Sequence, residues 1–160
     1  MITAVLRNRA KGEGYRIMAI RVRRVSSTND LEKAFAIRKR VFVREQGVPE
    51  EIELDHYDTR AFHFLAFDGE KPVSTARVVM RHGSAKIGRM AVLRSHRGRG
   101  IGKALLKRAV KTARKQGAQK IYLHAQVAVI EFYQKMGFRC VGRVFREAGI
   151  SHRKMVWTQV

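Results

Sequence analysis

The residues best equipped for chemistry lie at 94–103, RSHRGRGIGK, where four Arg or Lys side chains, one histidine and three glycines share ten positions. Glycine has no Cβ to hold a ligand away from the main chain, and the free N–H groups at a helix start attract anions. The segment follows a strand pattern ending at Leu93 and precedes helical spacing from Ile101. Its amides therefore sit at the positive end of a helix dipole, and a phosphate is the expected ligand. Spacing excludes two familiar phosphate loops. A Walker loop needs four residues between its glycines and then Gly-Lys-Ser/Thr, whereas Gly98 and Gly102 enclose three and Ala104 follows Lys103. A dinucleotide fingerprint needs Gly-x-Gly-x-x-Gly, and here the order is Gly98-x-Gly100-x-Gly102.

The elements that must position this loop follow from hydrophobic periodicity. Strand alternation covers IRVRRV at 20–25, and SSTND then offers helix N-caps before a stripe at Leu31, Ala34, Phe35, Arg38, Val41 and Phe42. Arg38 is the one polar member of that stripe. Gly47 and Pro49 end the helix, and a loop or short helix follows. AFHFLAF and PVSTARVVM read as strands about an Asp68-Gly69 turn, and KIGRMAVL is the next strand. Apolar residues at 101, 104, 105, 109 and 113 predict a helix ending at Gly117. KIYLHAQ is a strand, VIEFYQKMGF a short helix, and two final strands flank Gly149. The order is an α/β mixture with mostly antiparallel strands and helices on the faces.

Composition bounds the function. One domain fits 160 residues with 45% hydrophobic content, taken as residues 18–160 after a loose basic extension at 1–17. No apolar run reaches the ~18–20 residues of a membrane span, so no membrane partner is expected. Cys140 is the only cysteine, so no intrachain disulfide is available and a cytoplasmic location is the default. Six scattered histidines show no metal-ligand spacing, and no metal is expected. The net charge of +21 attracts polyanions, whether nucleic acid or a multiply phosphorylated small molecule, unless it serves only as a solvated surface. Against that field, six of thirteen acidic residues crowd into EQGVPEEIELDHYD at 45–58.

Arg97-x-x-Gly100-x-Gly102 resembles the acyl-CoA loop of the GNAT N-acetyltransferases, Gln/Arg-x-x-Gly-x-Gly/Ala between a strand and a helix. GRMAVL resembles the family's splayed fourth strand, and FYQKMGF its Phe/Leu-Tyr-x-x-x-Gly-Phe helix end. The likeness runs from about residue 20 to 160. VFVREQGVP, Asp55 and Asp58, HAQ and FREAGISHRKM are similar to an ElaA/YjcF-like bacterial branch. In place of the Asn and Ala that many members carry seven and four residues before the tyrosine stand Gln126 and Val129.

The resemblance implies a mixed, mostly antiparallel central sheet with a splayed fourth strand and helices on both faces. It implies acetyl-CoA as co-substrate, an amine acceptor, direct attack in a ternary complex, and a homodimer. N–H groups of Arg97, Gly98, Arg99, Gly100, Ile101 and Gly102 would hold the pyrophosphate, with Arg97, Arg99 and Lys103 adding charge. Met90, Ala91 and Val92 would meet the pantetheine arm through their backbone once a bulge or splay frees them, and Gln126 would add a cofactor contact. Tyr133 would protonate the departing thiolate. An acceptor amine must lose its proton before it attacks, and Glu45, Asp55 and His63 are the acceptor-site candidates, with Glu53 and Asp58 beside them. Two other functions compete: a basic nucleic-acid-binding module held only by electrostatics, and a CoA-binding regulator without turnover.

Overall fold

In the computed structural model, residues 2–7 and 17–158 are described. Eight strands form one sheet in the order β1-β2-β3-β4-β5-β6-β8-β7. They are β1 (Ile2–Arg7), β2 (Ile17–Arg24), β3 (Phe62–Asp68), β4 (Lys71–Arg81), β5 (Ser84–Val92), β6 (Lys120–Gln126), β7 (Phe138–Glu147) and β8 (Ile150–Trp157). Every neighbouring pair is antiparallel except β5 with β6. This is the mixed sheet that the resemblance implies. Within the expected 1–17 extension, Ile2–Arg7 pair with β2, while residue 1 and residues 8–16 lie outside the described residues.

Alternation along β3 divides the interior into two cores. Phe64 and Ala66 point to one face and pack with Ile20, Val22, Leu105 and Ala109, where α3 (Ile101–Lys115) lies. Leu65 and Phe67 point to the other and pack with Ala34, Ile37 and Val41 from the first helical segment. Side chains two apart on a strand share a face, so a strand apolar at consecutive positions must be covered on both. The apolar stripe of α3 is buried as its spacing predicts, with Leu106 added.

The first helix departs from expectation. Ser27 caps α1 (Thr28–Arg38), accepting from the Asp30 N–H at 3.2 Å, but from Lys39 to Glu45 the chain widens into a π-helix. The wider turn brings Glu45 and Gln46 toward the middle of the sheet, and such π segments recur at functional sites. The short helix α2 (Glu50–Glu53) and one 3₁₀ turn (His56–Thr59) occupy the acidic stretch. Helix α4 (Ile130–Lys135) closes beside β7. Two hairpins have two-residue turns with positive φ at both positions, His82-Gly83 (47° and 73°) and Ala148-Gly149 (50° and 75°), the backbone that matches strand twist. No helix among the described residues is long and apolar enough to cross a membrane.

Candidate active site

Strands β5 and β6 pair over only four positions, from Ser84↔Lys120 to Ile87↔Leu123, and then part. The cause lies on the other edge of β5. Thr75 pairs with Ala91 and Arg77 with Gly88, so β5 spends one residue more than β4 over that span. Arg89 absorbs the excess at φ 49°. A bulge of this kind bends its strand, and beyond Ile87 no residue of β6 pairs with β5. The gap opens into a cleft of about 940 Å³ whose walls include Met90, Val92, Gly98, Gly100, Gln126 and Tyr133. That volume is at the upper end of small-molecule sites.

The glycine loop forms one wall. Gly98 and Gly100 hold φ of 74° and 76°, and Gly100 is the N-cap of α3. A side chain is strained in that conformation. The first intrahelical bond runs from the Ala104 N–H to the Gly100 carbonyl, so the amides of Ile101, Gly102 and Lys103 at the helix start have no carbonyl of a preceding turn to meet. The Arg97 N–H, expected among the phosphate donors, instead donates to the Arg94 carbonyl at 3.4 Å. At Gly102 a Cβ would meet the Phe132 ring at 3.5 Å and Val92 at 3.8 Å, both ordinary contacts, so this position has room for a small side chain. Arg97, Ile101, Gly102, Lys103 and Ala91 also line the cleft, while Arg99 does not. The Arg97 guanidinium donates to the Val92 carbonyl and to Glu45, each at 2.9 Å. Its side chain thus clasps the π-helical end to β5. Gln126 exchanges two amide hydrogen bonds with Gln46, at 2.8 and 3.3 Å, across the same mouth.

Tyr133 stands against the bulge. Among the described residues its hydroxyl has a single weak acceptor, the Met90 sulfur at 3.7 Å, and its ring meets the edges of Phe132 and Phe138. Burial pushes the phenol up to about 12, so it keeps its proton throughout the neutral range.

Of the carboxylates and histidine weighed for the acceptor, only Glu53 lines the cleft. Glu45 is paired with Arg97, and neither Asp55 nor His63 is on the cleft wall. Asp55 belongs to a closed charge network with Glu53, Asp58, Arg38, Arg77 and Arg89. Arg38, wholly buried, donates to Glu53 and Asp58 at 2.7 Å each. Arg77 donates to Asp55 at 2.6 Å and Asp58 at 2.8 Å, and Arg89 meets Glu53 and Asp55 at 3.4 and 3.3 Å. Three guanidinium charges thus balance three carboxylates. For Asp55 and Asp58, burial opposes ionisation, but the arginine hydrogen bonds outweigh it and hold both below the ordinary carboxylate range. The stretch that looked like a local negative field is neutralised from within. His63 is buried beside it, its Nε2–H donating to the Asp58 carbonyl at 2.8 Å, and burial pushes the ring toward its neutral form.

The cleft wall instead includes Lys86, His124, Glu147 and His152, none of which the sequence assigns to acceptor chemistry. They come from four strands, and only the Ala148-Gly149 turn hints locally that Glu147 and His152 share a hairpin tip.

Residues 9–159 match the family model described as an acetyltransferase (GNAT) domain. The chain belongs to the GNAT acetyltransferases. Within that family it is 41% identical over 127 residues to YjcF of Bacillus subtilis, an uncharacterised N-acetyltransferase, covering 79% of this chain and 91% of YjcF. Its fold is similar to the crystal structure of Escherichia coli ElaA, with TM-score 0.78, 28% identity, and 87% and 99% of the two chains covered. It is likewise similar to an acyl-CoA N-acyltransferase from Pseudomonas aeruginosa, with TM-score 0.76, 26% identity, and 88% and 99% covered.

Proposed function

We propose that this GNAT protein transfers the acetyl group of acetyl-CoA to a primary amine by direct attack within a ternary complex. The observation that carries the reading is the continuity of one cleft from the N-terminus of α3 to the parted edge of β5. The glycine loop suits a pyrophosphate, and the unpaired edge of β5 suits an extended amide-bearing arm that bonds to a strand as a neighbour would. Met90 and Tyr133 lie between these walls. As the amine nitrogen bonds to the thioester carbon, the carbon–sulfur bond breaks and sulfur takes up the electron pair. The Tyr133 hydroxyl, whose only acceptor among the described residues is a thioether, can then give that sulfur its proton. Both substrates in one cleft need no covalent enzyme intermediate.

The test is thiol release from acetyl-CoA with a panel of primary amines, together with calorimetric titration of CoA. Amine-dependent thiol release supports the reading. Tight CoA binding with no release across the panel would make the protein a CoA-binding regulator instead.

A second reading has its own observation. Along α3, Lys103, Lys107, Lys111 and Lys115 recur every four residues, all exposed, and among the described residues no carboxylate pairs with them. A stripe of that kind suits a phosphate backbone. Binding to duplex DNA that weakens steeply between about 50 and 200 mM salt and ignores added CoA would support polyanion binding on that face.

A further inference from the structure

The acceptor end of the cleft can be located by reading along β5. Val92 adjoins the glycine loop, Met90 contacts the Tyr133 hydroxyl, and Lys86 lies six residues before Val92. At about 3.3 Å per residue, Lys86 is some 20 Å from the loop, with Tyr133 between. The β7–β8 hairpin curls its tip over this far end, so that Glu147 comes within 4.0 Å of Lys86, 3.4 Å of His124 and 3.8 Å of His152.

Glu147 differs from the other carboxylate on the cleft wall. Glu53 is 4% exposed and enclosed by Arg38 and Arg89, whereas the Glu147 side chain is 45% exposed and, among the described residues, meets no arginine. Its hydrogen bond with His124, aided by Lys86, holds it down to about 2 against the cost of burial, so it remains an anion. Lys86, for its part, is pushed toward its neutral form by burial. The carboxylate stands beside His124 Nδ1, which makes that nitrogen the donor and leaves the lone pair of Nε2 for another proton. His152 spends its Nδ1–H on the Ile150 carbonyl at 2.7 Å. The cleft lining also includes the apolar Val48, Ile52, Leu123 and Ile150, of which Leu123 adjoins His124 on β6 and Ile150 is the register partner of Glu147.

We propose that this cluster is the acceptor site and takes a primary ammonium group carried on an apolar body, with Glu147 holding the cation and His124 removing its proton. The inference rests on the acyl-transfer reading. An N–H bond of the ammonium breaks and its proton passes to His124 Nε2. The freed lone pair forms the C–N bond as the C–S bond breaks. Sulfur takes the Tyr133 proton, the new amide nitrogen returns its surplus proton to the tyrosine oxygen, and the His124 proton leaves to water. One proton is released per acetyl transferred. Glu147 also positions the His124 ring. Around that ring stand Glu147 from β7, the register partner Lys154 from β8 and the Tyr122 and Phe145 rings, while Lys86 from β5 and His152 from β8 reach the same Glu147 carboxylate.

Phenethylamine and its uncharged analogue phenethyl alcohol, each titrated into the CoA complex, test the site without turnover. The amine should bind at least about tenfold more tightly, and Glu147→Gln should erase the difference. In thiol release with phenethylamine and acetyl-CoA, His124→Ala should lower kcat by about 10²-fold with KM little changed. It should also move the rising limb of the kcat/KM–pH profile toward the pKa of the free amine, roughly 10.4 for a lysine-like amine, and added imidazole should restore part of the rate. Equal or absent binding of amine and alcohol overturns the proposal, as does a His124→Ala enzyme with wild-type turnover and pH profile. Those results leave acyl transfer to other amines standing. No thiol release from wild type with any amine would overturn the acyl-transfer reading itself, and this proposal with it.

Discussion

Tyr133 combines a raised affinity for its proton with the lack of a strong acceptor. Removing only its hydroxyl, as Tyr133→Phe, leaves the ring packed on Phe132 and Phe138. Turnover should fall by about 10²-fold, the low end for positioned acid catalysis, because a thiol of pKa ~8.5 is already a tolerable leaving group. Calorimetric CoA affinity should stay within a few-fold, and equal turnover in the two proteins would return Tyr133 to a packing role. At Gly100 the expectation concerns binding. Acetyl-CoA at a hundred times its dissociation constant should stabilise the native protein by about 2.7 kcal/mol. Gly100→Glu puts a carboxylate at the amide cluster and a side chain at φ 76°, so the ligand-induced thermal shift should vanish. A shift of wild-type size in that variant would place the cofactor elsewhere.

Among elements, α1 and the acidic stretch that follows it are tied through charges withdrawn from water. Arg38 was visible in the sequence only as a polar residue in an apolar stripe. Its partners lie 15 and 20 positions away, in a segment whose crowding of carboxylates reads as a field rather than as a set of pairs. Local periodicity reports which face is buried, not what satisfies a charge buried there. Strands β2 to β8, the α3 stripe and the glycine loop were legible because each is encoded within about fifteen residues, whereas β1 fell within the stretch expected to be a loose extension. Lys86, His124, Glu147 and His152 were not, since a hairpin must first fold over two strands to bring them together. The network makes a definite pH dependence. Asp55 and Asp58 bind protons less readily folded than unfolded, so their stabilisation is complete above the ordinary carboxylate pKa of about 3.9 and is lost as pH falls below it. Urea unfolding should give near-constant contributions from these groups between pH 7 and about 5, then a decline toward pH 3. Asp58→Asn, which leaves Arg38 and Arg77 short of an anion in the interior, should cost about 3 kcal/mol at pH 7 and flatten that decline. An unchanged slope would show that other carboxylates govern acid unfolding.

At the scale of the whole molecule, the sheet is nearly two sheets. Among the described residues, strands β1 to β5 and strands β6 to β8 are laddered only along the four-position parallel seam from Ser84↔Lys120 to Ile87↔Leu123, flanked by one bond from the Gln119 N–H to the Gly83 carbonyl at 2.8 Å, although the core under α3 runs across both. Cooperative units of a protein can open separately when little joins them. The seam is therefore a natural boundary between two such units, and a ligand that lies along the parted edge would act as a stitch across it. Amide exchange followed by mass spectrometry should show β6 and the β7–β8 hairpin exchanging on a different schedule from β3 and β4 in the free protein. With CoA bound, protection should rise on both sides of the seam, reaching residues of the hairpin that the cofactor never touches. If protection rises only in the glycine loop, the two halves are already locked together without the ligand. If it spreads as expected, a bound CoA would complete the interior of the fold, and the CoA-free protein would be the more open and more protease-sensitive form.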